Sequence, residues 1–137
     1  MPDVIVNAAA YTNVEKAEVE QDLAFAVNGH ALVKICEEID NFNQEQSRDL
    51  PLIHFSTDYV FDGNGNEPNR PLDRTNPINI YGKSKAEGEK IILSSRISYL
   101  IFRTSWVVSR YGNNFVKTIL KKIKTNSEIS VVNDQYG

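Results

Sequence analysis

The chain has 137 residues, 41% of them hydrophobic and 24% charged, with a formal charge of -3. These values suit one soluble globular domain and supply no basic surface of the kind that holds nucleic acid. The single cysteine, Cys36, rules out an internal disulfide, and no apolar run is long enough to cross a membrane.

Val4-Ile5-Val6, ending in Asn7-Ala8-Ala9-Ala10, reads as a short buried strand. From about Val19 to Ile39 the apolar residues Leu23, Val27, Ala31, Ile35 and Ile39 form a helix stripe, which the polar stretch Asn41 to Asp49 ends. Cys36 lies in that pattern and is expected to pack in the core. Pro51 to Ser56 is a second strand. A loop rich in Gly, Asn and Pro runs from Phe61 to Pro77, and its length suits a functional loop. Pro77 is expected in the first turn of a helix that carries Tyr81, Lys85 and Glu89 to about Ser94. Ser98 to Phe102 gives a third strand. A helix with Phe115, Ile119 and Ile123 on one face follows Gly112-Asn113, and Ile129 to Val132 gives a fourth strand.

Strands alternating with helices imply an α/β fold with a parallel, doubly wound sheet. Such a dinucleotide fold normally opens on a strand and a Gly-rich turn at a helix N-terminus, which holds the pyrophosphate. No G-x-G-x-x-G occurs, and Gly63-Asn64-Gly65-Asn66 reads as a plain turn. Residues 1–137 are therefore expected to form part of a Rossmann-like NAD(P)-binding domain, its second half. Met1-Pro2-Asp3 lacks the charged and apolar regions of a signal peptide, which makes a cytoplasmic location the expectation.

Tyr81 and Lys85, four apart on one helix, share a face. Carbonyl reduction needs a proton donor as hydride reaches carbon, and a phenol with a pKa of about 10 is a weak one. A neighbouring ammonium would favour the phenolate and lower that pKa, and could also hold ribose hydroxyls. The same spacing also arises on solvated helix faces. Ser56 and Thr57 end the second strand, where ligands of open α/β sheets bind, so a hydroxyl there could meet a substrate carbonyl beside Tyr81. The alternative is that both simply begin a turn. His30 and His54 are expected to be structural, and no His/Cys/Asp cluster has metal-ligand spacing.

Several stretches together resemble the dTDP-4-dehydrorhamnose reductases, members of the extended short-chain dehydrogenases. They are Val4 to Thr12, Val14 to Ala17 with Glu18, Ser56 to Gly63, Asn79 to Lys85, Arg103-Thr104-Ser105-Trp106, Gly112 to Val116 and Val132 to Gly137. The resemblance covers nearly the whole chain. It implies reduction of the 4-keto group of a dTDP-6-deoxyhexulose to dTDP-L-rhamnose, with NADPH or NADH as hydride donor. Tyr81 would donate the proton, Lys85 would be its electrostatic partner and ribose ligand, and Thr57 and Ser56 would meet the sugar. Ala8, Ala9 and Ala10 would line the cofactor. Trp106 would contact the nucleotide-sugar, its alternative being a core aromatic at a strand end. Some relatives hold magnesium at a dimer interface through glutamates that cannot be assigned in this sequence; Asp58 and Asp62 are expected to shape a loop.

The resemblance also implies that the Gly-rich opening of the family lies outside these residues, as does the part that closes over the sugar. The first strand would then have an edge without a partner in the chain, a pairing hazard. The chain is expected to be a fragment, a split-gene product or a domain completed by another polypeptide or by self-association. A regulatory subunit of methionine adenosyltransferase shares this fold and similar motifs, so a non-catalytic binding role and an inactive fragment stand as alternatives to the reductase.

Overall fold

The computed structural model describes residues 1–65, 67–125 and 128–131. They form two compact units, Met1–Arg103 and Thr104–Gly137. In chain order the elements are β1 (Ile5–Asn7), α1 (Val14–Ala17), α2 (Gln21–Phe25), a π-helical turn (Ala26–His30), α3 (Ala31–Gln46), β2 (Leu52–Thr57), a 3-10 turn (Asp58–Val60), α4 (Ile80–Ser94), β3 (Tyr99–Thr104) and α5 (Phe115–Lys124).

The strands form one sheet in the order β1-β2-β3, with β1 and β2 parallel. Asn7 stands opposite His54 and Ile5 opposite Leu52, so each pair shares a sheet face. On that face the core gathers Leu32, Cys36 and Ile39 of α3, Leu50, Leu52 of β2, Ile92 of α4 and Ile97. Burial of each large aliphatic side chain stabilises the fold by about 1.5–3 kcal/mol, which anchors both long helices. Cys36 is a buried free thiol, as expected. Phe55 and Phe102 stack on the opposite face with centroids 6.0 Å apart and remain 40% and 43% exposed. Within the described sheet β1 is an edge strand that pairs only with β2.

The helical stripe expected between Val19 and Ile39 falls one residue away from the buried row. Leu23 and Ala31 are exposed, whereas Ala24, Asn28, Leu32 and Cys36 are buried; of the expected stripe Ile39 is buried and Ile35 packs against the core. The buried row carries an alanine and an asparagine because it meets α4 at short range. A β-carbon on Gly88 of α4 would lie 2.3 Å from the Asn28 carbonyl oxygen. The close approach is made by glycine on α4 and a polar residue on the facing row, which a count of hydrophobic residues does not register.

The polar stretch does not end the helix at residue 39 either. α3 continues to Gln46, since Phe42 packs against the core and the Asn43 carboxamide accepts from the Leu50 N–H at 2.7 Å. Ser47, at φ 50°, closes it in the left-handed conformation that ends many helices.

Pro77 precedes α4 instead of opening it. Asn79 is the N-cap, its side chain accepting from the Gly82 N–H at 2.7 Å, and the Glu18 carboxylate accepts from the Ile80 N–H at 2.8 Å. Two orphan donors of the first turn are satisfied in this way, which fixes the helix start more firmly than proline's backbone preference. Gly63 and Gly65, at φ 72° and 112°, lie in the loop before it and open no helix.

Ile129 to Val131 are not in a strand. A strand persists through ladder hydrogen bonds to a neighbour, which an apolar run cannot supply from its own composition. Val132, the last residue of that expected strand, and the motif from Val132 to Gly137 lie outside the described residues. In the Thr104–Gly137 unit, Asn114 caps α5 by accepting from the Lys117 N–H at 3.0 Å.

Candidate active site

β2, the 3-10 turn and α4 bring Thr57, Tyr59, Tyr81 and Lys85 to the carboxyl end of the sheet. Thr57 Oγ1 donates to Asp58 at 3.0 Å and accepts from the Tyr59 N–H at 3.2 Å. This turn points Tyr59 edge-on at Tyr81, with ring centroids 5.7 Å apart. Tyr81 is half-buried on the first turn of α4. Burial pushes its phenol above the usual range, the Thr57 side chain pulls it back, and Asp58 and Tyr59 push it up again. Asp62 accepts from the Asn76 side chain at 2.9 Å and from the Asn64 N–H at 2.9 Å, so it does shape the loop.

Lys85 is 2% exposed, an uncommon burial for a lysine. Its ammonium donates to the Phe55 carbonyl at 2.6 Å and sits 3.4 Å from His54 Nε2. Burial lowers its pKa to about 8, against a smaller upward pull from Glu89 one turn along α4. The expectation that the Lys85 charge lowers the Tyr81 pKa is therefore not met in this structure. The two residues share a helix, but the lysine is turned toward β2, and Tyr81 responds to burial, Thr57, Asp58 and Tyr59 instead.

Ala8 and Ala9, beyond the end of β1, are exposed, and Ala10 is half-buried. Ser56 is buried on β2, with the strand alternation placing it on the same face as His54. Trp106 belongs to the Thr104–Gly137 unit, where it is 52% exposed and meets the Phe115 ring edge-on at 5.3 Å. It is not a core aromatic.

The profile of the RmlD substrate binding domain matches residues 1–137. The chain belongs to the RmlD substrate binding domain family. It is similar to the dTDP-4-dehydrorhamnose reductase of Sinorhizobium fredii, 49% identical over 99% of this chain, and to that of Salmonella typhimurium, 46% identical over 99%. A crystal structure of dTDP-4-dehydrorhamnose reductase from Bacillus anthracis in complex with NADP superposes with a TM-score of 0.81 at 41% identity, covering 98% of this chain. The chain spans 44% of each of the two curated relatives and 46% of that crystal structure, so it is less than half their length. The partial Rossmann-like fold expected from the order of elements is the fold of these relatives.

Three residues of this RmlD-family chain, Asn28, Glu89 and Arg103, have roles that a reading of its motifs does not assign. Asn28 is 1% exposed; its carboxamide accepts from the Tyr11 N–H at 2.8 Å and donates to the Tyr11 carbonyl at 3.0 Å and to Ser84 Oγ at 3.0 Å. It thereby joins the segment after Ala8–Ala10 to the helix of Tyr81. A polar residue in a helix stripe, beside Gly29, was the available signal. Glu89, also buried, is gripped in a fork by Arg103 of β3, at 3.0 Å from Nε and 2.7 Å from Nη2. Arg103 further donates to the Pro71 carbonyl at 3.1 Å and lies 4.9 Å over the Phe61 ring, tying the long loop to α4. Among the described residues no group of three or more His, Cys, Asp and Glu converges as a metal site, and no helix is long and apolar enough to cross a membrane.

Proposed function

We propose that this chain carries the chemical half of a dTDP-4-dehydrorhamnose reductase. The reaction is reduction of the 4-keto group of dTDP-4-dehydro-L-rhamnose to dTDP-L-rhamnose with NADPH or NADH, in the supply of dTDP-rhamnose for cell-surface polysaccharide. The observation that supports this reading is Thr57 beside Tyr81 at the end of β2, with the buried Lys85 one turn along α4, in a chain of this family.

The residues present fit one end of a dinucleotide. Ala8 and Ala9 leave the backbone beyond β1 open to close approach, and Lys85 of α4 supplies hydrogen-bond donors. Among the described residues no Gly-rich turn opens a helix N-terminus of the kind that takes the pyrophosphate. A complementing chain or self-association is proposed to complete the site.

The reduced nicotinamide, when bound, supplies the hydride. Tyr81 holds its proton on Oη at neutral pH, as a phenol ordinarily does, and burial favours the protonated form further. It releases that proton to the carbonyl oxygen as negative charge develops there. Thr57 and Ser56 orient the sugar at the strand end, and Lys85 holds ribose hydroxyls. Trp106 lies against the nucleotide-sugar. The dTDP-sugar is the small-molecule partner and the cytoplasm the location. A magnesium ion at a subunit interface, as the resemblance suggests, has no assigned ligands in this chain.

The test is oxidation of NADPH or NADH with dTDP-4-dehydro-L-rhamnose, with the product identified by mass spectrometry. Loss of turnover in Tyr81→Phe, with cofactor affinity retained, supports the reading. Unchanged turnover in that variant removes Tyr81 from its role. Cofactor binding without turnover in the unaltered chain moves it to the non-catalytic binding role.

A further inference from the structure

His54 is 1% exposed and lies directly beneath Lys85. The Oδ1 atom of Asn7 accepts from the Ala9 N–H at 3.1 Å, which turns the Nδ2 of Asn7 toward His54 Nδ1, also at 3.1 Å. An amide NH₂ has only hydrogens to offer, so Nδ1 must be the acceptor. A neutral ring then carries its hydrogen on Nε2, the atom 3.4 Å from Lys85 Nζ. An ammonium and an N–H are both donors. The contact becomes a hydrogen bond only when Lys85 is the neutral amine.

We propose that His54 is a positioning residue for Lys85: held in the Nε2–H tautomer by Asn7, it turns an N–H toward Nζ and biases that lysine from ammonium toward amine. The Phe55 carbonyl orients Nζ, and the buried imidazole sets which protonation state fits. The charged groups around the pair are few. Glu89 of α4 favours the ammonium, but Arg103 of β3 engages its carboxylate. The π-helical turn contributes the neutral Asn28 and α4 the neutral Ser84, while Asp58 and Tyr59 of the 3-10 turn bear on Tyr81. The ring itself stays uncharged near neutrality, its pKa lowered to about 4 by burial and then by the Lys85 charge, with Glu89 opposing. The inference rests on the reductase reading only in that this reading gives Lys85 its use.

The experiment is nuclear magnetic resonance on the whole chain with isotope-labelled histidine and lysine, and it needs no turnover. The chain has 2 histidines, and His30 is exposed, which simplifies assignment. At neutral pH, His54 is expected with Nε2 protonated and Nδ1 bare. The Nε2 proton shift should move with the same midpoint as Lys85 Cε, and that step should vanish in Lys85→Met. Asn7→Leu frees the ring to turn a lone pair toward Nζ, so the Lys85 midpoint should rise by roughly half to one pH unit, the size of one net hydrogen bond. An Nδ1–H tautomer, an imidazolium near neutrality or separate midpoints would overturn the proposal, as would an unmoved midpoint in a folded Asn7→Leu. If Asn7→Leu does not fold, the tautomer and the shared midpoint in the unaltered chain decide. A shared midpoint with no keto-sugar reduction leaves this proposal standing and the reductase reading refuted; Tyr81-dependent reduction with the other tautomer does the reverse.

Discussion

Gly82 lies so close to Tyr59 that a β-carbon on it would come within 2.1 Å of the Tyr59 carbonyl oxygen. The obstacle is backbone, which cannot swing aside as a side chain does, so Gly82→Ala must displace either the 3-10 turn or the first turn of α4. Both hold site residues, Tyr59 on one and Tyr81 on the other. The expected cost is about 1–3 kcal/mol or more, read from urea unfolding, together with reduced turnover wherever the chain is active. Gly29→Ala is the control. Its nearest neighbours would be 3.5 Å away, an ordinary contact, and its stability should stay within about 1 kcal/mol of the unaltered chain.

Arg103→Leu should be among the most destabilising single changes, at about 3–5 kcal/mol, because it leaves the Glu89 carboxylate buried without its partner. Replacing both, Arg103→Leu with Glu89→Leu, should recover most of that loss, since an apolar pair has no charge to desolvate. Lys90→Ala breaks the exposed Lys90–Glu87 pair and should cost about 1 kcal/mol or less. Urea midpoints for the four proteins order these effects; a double variant no better than Arg103→Leu would refute the burial argument.

His54 links stability to acid. Its pKa is lowered to about 4 in the folded chain, against 6.5 ordinarily, so between these values the unfolded chain binds the extra proton. The contribution is present in full above pH 6.5 and is lost as pH falls through about 4. The linked loss is on the order of 3 kcal/mol. His54→Phe should flatten that part of the stability–pH curve, measured by urea unfolding at a series of pH values. An equally steep fall in the variant would assign the acid sensitivity elsewhere.

Asn28→Leu keeps roughly the side-chain volume and removes three hydrogen bonds, leaving the Tyr11 N–H and carbonyl without their partner. A cost of about 2–3 kcal/mol is expected, since a buried polar group left unsatisfied loses its full desolvation energy. The variant should also speed amide hydrogen exchange at Tyr11 selectively, by a hundredfold or so if the local opening energy falls by about 2.7 kcal/mol. Exchange at Tyr11 unchanged in the variant would show that Asn28 does not hold this segment.

The legible part of the fold was the part made by local chemistry. Asn and Gly residues punctuated the helices, and Val4 to Val6 and Leu52 to Phe55 carried strand composition. The stripe was misread over α2 and the π-helical turn, where α4 approaches closely and brings Gly88 against Asn28. Asn28 was overlooked for the same reason. Its value comes from Tyr11 and Ser84, which are 17 and 56 residues away in the chain.

The sequence by itself determined that strands alternate with helices and that Tyr81 and Lys85 share a face. The last follows from helix geometry alone, since residues four apart lie one turn from each other. What Lys85 does on that face was decided by the tertiary structure. Parallel pairing sets Asn7 beside His54, and α4 crosses β2 where Lys85 reaches His54 and the Phe55 carbonyl. Those contacts depend on sheet register and helix packing, so the spacing of Tyr81 and Lys85 located the site without revealing that its lysine is buried against a neutral histidine.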